Sequence, residues 1–262
     1  MNAQASWRVL AAALTGALLA AGQYGWAAED FRIENRVFVG SEKDPRSQST
    51  TIFYGGRVYD YLLQPAEVTV FDRDGGRLVL LDTTRRVKTE LTTTAIASLT
   101  ERLKRWAQSR ADPLWRFLAE PKFEEQSDEP SGELLLSSPW LTYRVKAVDG
   151  GNEEMSRSYR EFCDWYCQLN TLINPGSRPP FARMMLNAAL DQRRQLPVEV
   201  QLTIRPKGPK ELLPTKRIVV RSEHQLVRGL AESDRDRIAQ TDQFMVIFQP
   251  VGFEEYQKKL SQ

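Results

Sequence analysis

The sequence predicts an α+β fold, a curved antiparallel sheet with helices packed on one face. Three observations predict it. Short alternating runs between Phe31 and Leu91 are separated by turns too brief for a helical crossover, so neighbouring strands pair as hairpins. Two long amphipathic stripes, starting near Thr94 and Asn152, can each cover a sheet face. Hairpins outnumber strand–helix–strand units along the chain, which selects an antiparallel over a parallel sheet.

The elements follow in order. Phe31, Ile33, Val37 and Val39 alternate with Arg32, Glu34 and Arg36, the period of a half-buried strand. Ser41 to Ser49 is polar, contains Pro45 and reads as a loop. Strand character resumes at Thr51–Phe53 and Val58–Leu62 around Gly55-Gly56. The central stretch runs Glu67 to Trp106. Glu67–Asp72 and Arg77–Asp82 form a hairpin across Asp74-Gly75-Gly76, Val87–Leu91 adds a strand, and Ile96, Leu99, Leu103 and Trp106 make one helical stripe. Asp112-Pro113 reads as an N-cap with Pro at the first helical position. Leu134–Leu136 and Leu141–Val148 form a hairpin over Ser137-Ser138-Pro139. Met155, Tyr159, Phe162, Tyr166, Leu169 and Ile173, stepping by three and four, mark the longest helix, capped by Asn152 and ended by Asn174-Pro175-Gly176. Pro179-Pro180 opens another helix. Leu196–Ile204 and Arg217–Arg221 pair across Lys207-Gly208-Pro209, and Glu232–Leu260 is mostly helical with a break at Pro250.

Arg8 precedes the uncharged apolar run Val9–Ala21, and Gly25-Trp26-Ala27 supplies small residues for cleavage. This is the layout of a secretory signal peptide over 1–27. The remainder, 28–262, reads as a single α+β domain, with the acidic loop 120–133 as its candidate internal boundary. After cleavage no segment could span a bilayer as a helix, so the expected location is periplasmic or secreted. Basic and acidic residues, 36 against 34, are mixed along the chain, which argues against nucleic acid as a partner.

No catalytic residue, metal-ligand set or cofactor motif emerges. His224 is the only histidine and no Gly-x-Ser-x-Gly elbow accompanies it. Asp72-x-Asp74-Gly75 lacks the remaining ligands of a calcium loop and fits a hairpin turn. Carboxylates are numerous, but no pair is marked out. Cys163 and Cys167 form the one thiol pair, at helical i and i+4. There Cβ atoms stand about 5–6 Å apart, against the roughly 3.5–4.5 Å a disulfide prefers. Three readings follow: two buried thiols packing as small apolar groups, a local disulfide that bends the helix, or a redox or copper-binding pair. Aromatic residues on the middle helices, Trp106, Trp115, Phe162, Trp165 and Tyr166, are candidates to line an apolar ligand pocket, or to fill the core.

The signal segment, the meander containing Val70-Phe-Asp-Arg-Asp-Gly-Gly-Arg-Leu-Val-Leu-Leu81, the inserted helix pair and the later strands together resemble the periplasmic lipoprotein-carrier family. The chain also resembles uncharacterised secreted bacterial proteins. The carrier resemblance covers the order of elements and implies a half-open barrel with a helical lid around acyl chains. The carrier family's early helix has no counterpart before Phe31, and no motif places its cargo-gripping Arg. The expectation is an exported, non-enzymatic protein that binds a lipid, another hydrophobic or amphipathic ligand, or an envelope protein. The alternative is a thiol-redox or copper-binding envelope protein using Cys163 and Cys167.

Overall fold

The first third of the chain folds back on itself strand by strand. In the computed structural model, which describes residues 30–128, 132–174, 177–205 and 217–258, β1 (Phe31–Val39), β2 (Ser47–Tyr54), β3 (Arg57–Leu62), β4 (Glu67–Asp72), β5 (Arg77–Asp82) and β6 (Val87–Thr92) pair antiparallel, each with the next. Gly55 and Gly56 close the β2–β3 hairpin with φ of 57° and 75°, the left-handed pair that matches strand twist and that glycine tolerates best. At the next-but-one turn, Asp72 carries the geometry. Its Oδ1 accepts from Gly75 N–H at 3.1 Å and its Oδ2 from Arg77 Nε at 3.1 Å. Burial raises the Asp72 carboxyl, but the Gly75 amide, Arg77 and Arg57 together hold it below its ordinary range. Asp72→Ala should therefore cost about 1–2 kcal/mol in urea denaturation and leave calcium without effect on the melting temperature. A calcium-dependent loss of stability would contradict the hairpin assignment.

Thr92 caps α1 (Thr93–Gln108) by accepting from Ala95 N–H, and Asp112 caps α2 (Pro113–Ala119) through Leu114 N–H. β7 (Glu124–Asp128), β8 (Glu133–Ser137) and β9 (Leu141–Asp149) follow, then α3 (Glu153–Ile173), capped by Asn152, and α4 (Phe181–Gln192). The last part comprises β10 (Gln195–Ile204), β11 (Ile218–Arg228), α5 (Glu232–Ile247), β12 (Gln249–Pro250) and α6 (Phe253–Lys258). All twelve strands join one curved, unclosed sheet in the order β12-β6-β5-β4-β3-β2-β1-β11-β10-β9-β8-β7. β1 pairs with β11, so the first and last long strands join the two hairpin series at mid-sheet. Every strand pair is antiparallel except the short β12–β6 contact. The predicted class, a curved antiparallel sheet with packed helices, is the observed one, but the helices are not confined to one face, because α5 covers the other.

Side-chain alternation sorts the core. Phe31, Ile33, Phe53, Val58, Phe71, Leu78 and Leu80 face α1 and α3, meeting Ile96, Met155, Tyr159, Phe162 and Leu169. Further along the same face, Leu134, Leu136, Tyr143, Val145, Val200 and Ile204 receive α2 and α4 through Leu118, Ala182, Leu186 and Leu190. On the opposite face Ile52, Tyr59, Val70, Val79 and Leu81 are covered by α5 through Ile238 and by Phe248 just beyond it. A paired contact of Arg32 Nη1 with both Asp234 oxygens, at 2.9 and 2.8 Å, ties α5 to β1. From α5 the chain rounds the sheet edge as β12, and α6 plugs Tyr256 into the α3-side core.

Three local expectations differ. The acidic stretch 120–133 reads as loop, yet β7 runs through it as the sheet's edge strand. All five of its side chains are exposed, so it shows no apolar alternation, and only backbone pairing with β8 makes it a strand. Strand β2 begins at Ser47, inside the expected loop, because Ser47, Gln48 and Ser49 pair with β1 without any apolar signal. Strand β11 continues to Arg228, well past Arg221, which places His224 in mid-strand beside Asn35. Residues 1–27, expected as a signal peptide, the expected turns at Pro175-Gly176 and Lys207-Gly208-Pro209, and Leu260 lie outside the described residues. Among the described residues no helix is long and apolar enough to cross a membrane.

Candidate ligand-binding site

The α3–α4 pair does not lie flat on β9–β11. Between them is a cavity of about 270 Å³. Its lining combines apolar strand residues (Leu141, Val200, Leu202 and Val220, with Leu118 from α2) with the polar groups of Ser177, Arg178, Arg183 and Ser222. The strand register explains the apolar wall. Leu141 opposes Ile204, Tyr143 opposes Leu202 and Leu202 opposes Val220, so one pleat face is presented.

Arg183, on the first turns of α4, is the charged centre. Its Nε donates to Asn187 Oδ1 at 2.9 Å and its Nη2 makes a long contact of 3.4 Å to the Tyr159 hydroxyl. Asn187 passes the interaction on, donating to Asp164 Oδ1 at 2.7 Å, and Asp164 is itself 3.6 Å from Arg160. Burial works against the guanidinium charge, yet the acidic hydroxyl and thiol groups of Tyr159, Cys163, Tyr143 and Cys167 raise its pKa. Arginine stays charged here as elsewhere.

Beside the cavity runs a hydrogen-bonded chain on the inner sheet face. Ser222 Oγ lies 2.9 Å from His224 Nε2, and His224 Nδ1 lies 2.8 Å from Asn35 Oδ1. Asn35 Nδ2 donates to Thr51 Oγ1 at 2.9 Å and to Ser49 Oγ at 3.2 Å, and Thr51 donates to the buried Asp60 at 2.6 Å. Burial raises the Asp60 carboxyl against the hydrogen bonds of Thr51, Ser49 and Tyr166. Burial, and then the charge of Arg183, push His224 down to about 3. The imidazole is thus neutral and fixed by partners on both nitrogens. Only the β1–β11 pairing brings Asn35 and His224 together, which sequence spacing does not show.

The thiols sit against the same region. Both are free and partly buried, and Cys167 Sγ contacts the Asp164 carbonyl at 3.3 Å. Burial pushes Cys163 up to about 11 and Cys167 higher still, so both are thiols at neutral pH, with little of the thiolate that redox and metal chemistry use. Among the described residues no three His, Cys, Asp or Glu side chains converge as a metal site.

The aromatic candidates divide into two places. Trp106 and Trp115 meet edge to face at 5.0 Å between α1 and α2, with Trp106 41% exposed. Phe162 is core, between Phe53 and Tyr166 at 6.0 and 5.3 Å, and Trp165 packs against the same cluster. None of the five lines the 270 Å³ cavity. The signal that sequence reading passed over is Arg183, a lone cation in the apolar stretch Phe181–Leu190.

The opposite face carries a larger open groove of about 1110 Å³. Much of its charge is already matched within the sheet, Arg36 to Glu223 at 3.1 Å and Lys146 to Glu199 at 3.6 Å. The smaller cavity, with an apolar wall and a concentrated charge, is the better-formed ligand site.

No family model matches the chain, and no curated protein matches it. Among solved structures the chain is similar to a LolA superfamily protein of Nitrosomonas europaea. That match covers 78% of this chain and 88% of the other at 8% identity, with a TM-score of 0.27, a likeness that carries no argument about site or ligand.

Proposed function

We propose that this is an exported, non-enzymatic protein that holds an apolar or amphipathic ligand between α3, α4 and strands β9–β11. The observation that carries the reading is the cavity itself, lined by apolar strand residues and by the polar groups of Ser177, Arg178, Arg183 and Ser222. That combination suits a molecule with a tail and a head. The N-terminal apolar run supports export, and the two elevated thiol pKa values favour packing over thiol chemistry at Cys163 and Cys167. An envelope protein carrying an apolar segment would use the same opening.

Ala182 is 3% exposed and lines the cavity, so Ala182→Phe fills it from α4. The variant should lose at least tenfold in affinity for the hydrophobic dye 1-N-phenylnaphthylamine. Its stability should change by about 1–3 kcal/mol, the usual cost of overpacking. Equal dye binding by both proteins would remove the cavity as the site. Intact mass of protein recovered from the cell envelope should correspond to a chain beginning at Ala28, and retention of 1–27 would count against export with cleavage.

A further inference from the structure

We infer, on the basis of that reading, that the ligand's head is an anion seated on Arg183, and that its tail is a single short chain. Three features meet in the lining of this cavity. The first is an uncompensated charge. Arg183 has no carboxylate within ion-pair distance among the described residues, and no hydrogen bond engages its Nη1. The carboxylates behind it are committed elsewhere, since Arg160 draws on both Asp164, at 3.6 Å, and Asp191, at 2.9 Å. Arg178, exposed at the mouth, adds a further positive charge. Arg183 is half-buried in the cavity wall, so its unengaged Nη1 is open to the cavity, and a bound anion would pair a guanidinium that has no counter-ion.

The second feature is an orphan donor. Ser177 Oγ is buried, has no hydrogen-bond partner and lines the same cavity. Buried hydroxyls without partners are rare, and a head-group oxygen would satisfy this one. The third is the start of α4. It follows Pro179-Pro180, its N-cap residue Pro180 makes no side-chain cap, and no acidic residue lies in its first turn. Pro179, Pro180 and Ala182 line the cavity, so the uncapped, positive end of a twelve-residue helix borders the same space as Arg183 and Ser177. A cation, a hydroxyl donor and a helix N-terminus together recognise a carboxylate or a comparable small anion.

Volume sets the tail. At about 30 Å³ per water-sized group, 270 Å³ holds roughly nine such groups. That accommodates one short chain of about seven or eight carbons with its head group.

Calorimetric titration of the full protein with octanoate and with octan-1-ol tests this without any substitution. Octanoate should bind at least tenfold more tightly. Arg183→Met should lose that preference while Arg183→Lys retains part of it, and Ser177→Ala should weaken octanoate alone by a few-fold. Binding of octanol as tight as octanoate would overturn the anion assignment and leave the apolar pocket standing. Failure of both to bind, in a protein that still takes up the dye, would overturn the short-chain assignment. Failure to bind the dye as well would remove the pocket itself.

Discussion

Acidification from pH 7.5 to 5.0 is expected to cost the protein about 1–2 kcal/mol through His224 alone. The sign follows from the direction of the shift. The folded imidazole titrates near 3, against an ordinary value of 6.5, because burial and the charge of Arg183 disfavour its protonation. Between those values the unfolded chain takes up a proton that the folded chain refuses. The contribution is complete above pH 6.5 and is lost progressively as pH falls toward 3. At 1.36 kcal/mol per pH unit the loss by pH 5.0 is about 2 kcal/mol. Solvent screening trims it, because His224 is only half-buried. Asp60, Glu67 and Asp164 act with the opposite sign. Burial raises each of them, so their unfavourable contribution is relieved as pH falls through their folded pKa values. The comparison that isolates the histidine is wild type against His224→Gln, by urea denaturation at the two pH values. Wild type should lose about 1–2 kcal/mol more than the variant. Because His224 is the only histidine, its titration can also be followed directly by NMR, and Arg183→Met should raise its pKa. An imidazole titrating near 6.5 in the folded protein would contradict this account of the β1–β11 network.

Phe162→Ala should destabilise the protein by about 3–5 kcal/mol, the range for removing a buried phenylalanine. Phe162 is 4% exposed and lies between the rings of Phe53 and Tyr166, at the contact where α3 meets the sheet. The substitution also separates its two readings. As a core residue it should lower the urea midpoint and leave octanoate affinity, measured under folding conditions, within about threefold. A loss of less than 1 kcal/mol, with ligand binding abolished, would place Phe162 in the site instead.

Burial explains what was legible in the sequence. Strands β1, β3, β4, β5 and β9, and helix α3, each present an apolar period to a core, and each was readable from that period. Strand β7 was not, because its side chains all face solvent and its pairing is written only in the backbone. The N-terminal part of β2 failed for a related reason, since Ser47–Ser49 join the sheet as polar residues. The candidate site was harder still. Ser177 and Arg183, around the start of α4, are about forty residues from Ser222 and His224 on β11, and the cavity exists only once α4 has docked on β9–β11. Helical spacing correctly grouped Phe162 and Tyr166 on one face of α3, but spacing does not say whether that face meets a ligand or a sheet.

The most direct test of the ligand-binding account is native mass spectrometry of the protein purified from the cell envelope. The account predicts a non-covalent adduct with the mass of one small amphiphile, lost on denaturation and absent from Ala182→Phe. A bare mass for the wild type, in a preparation whose added octanoate and dye also leave no adduct, would contradict it.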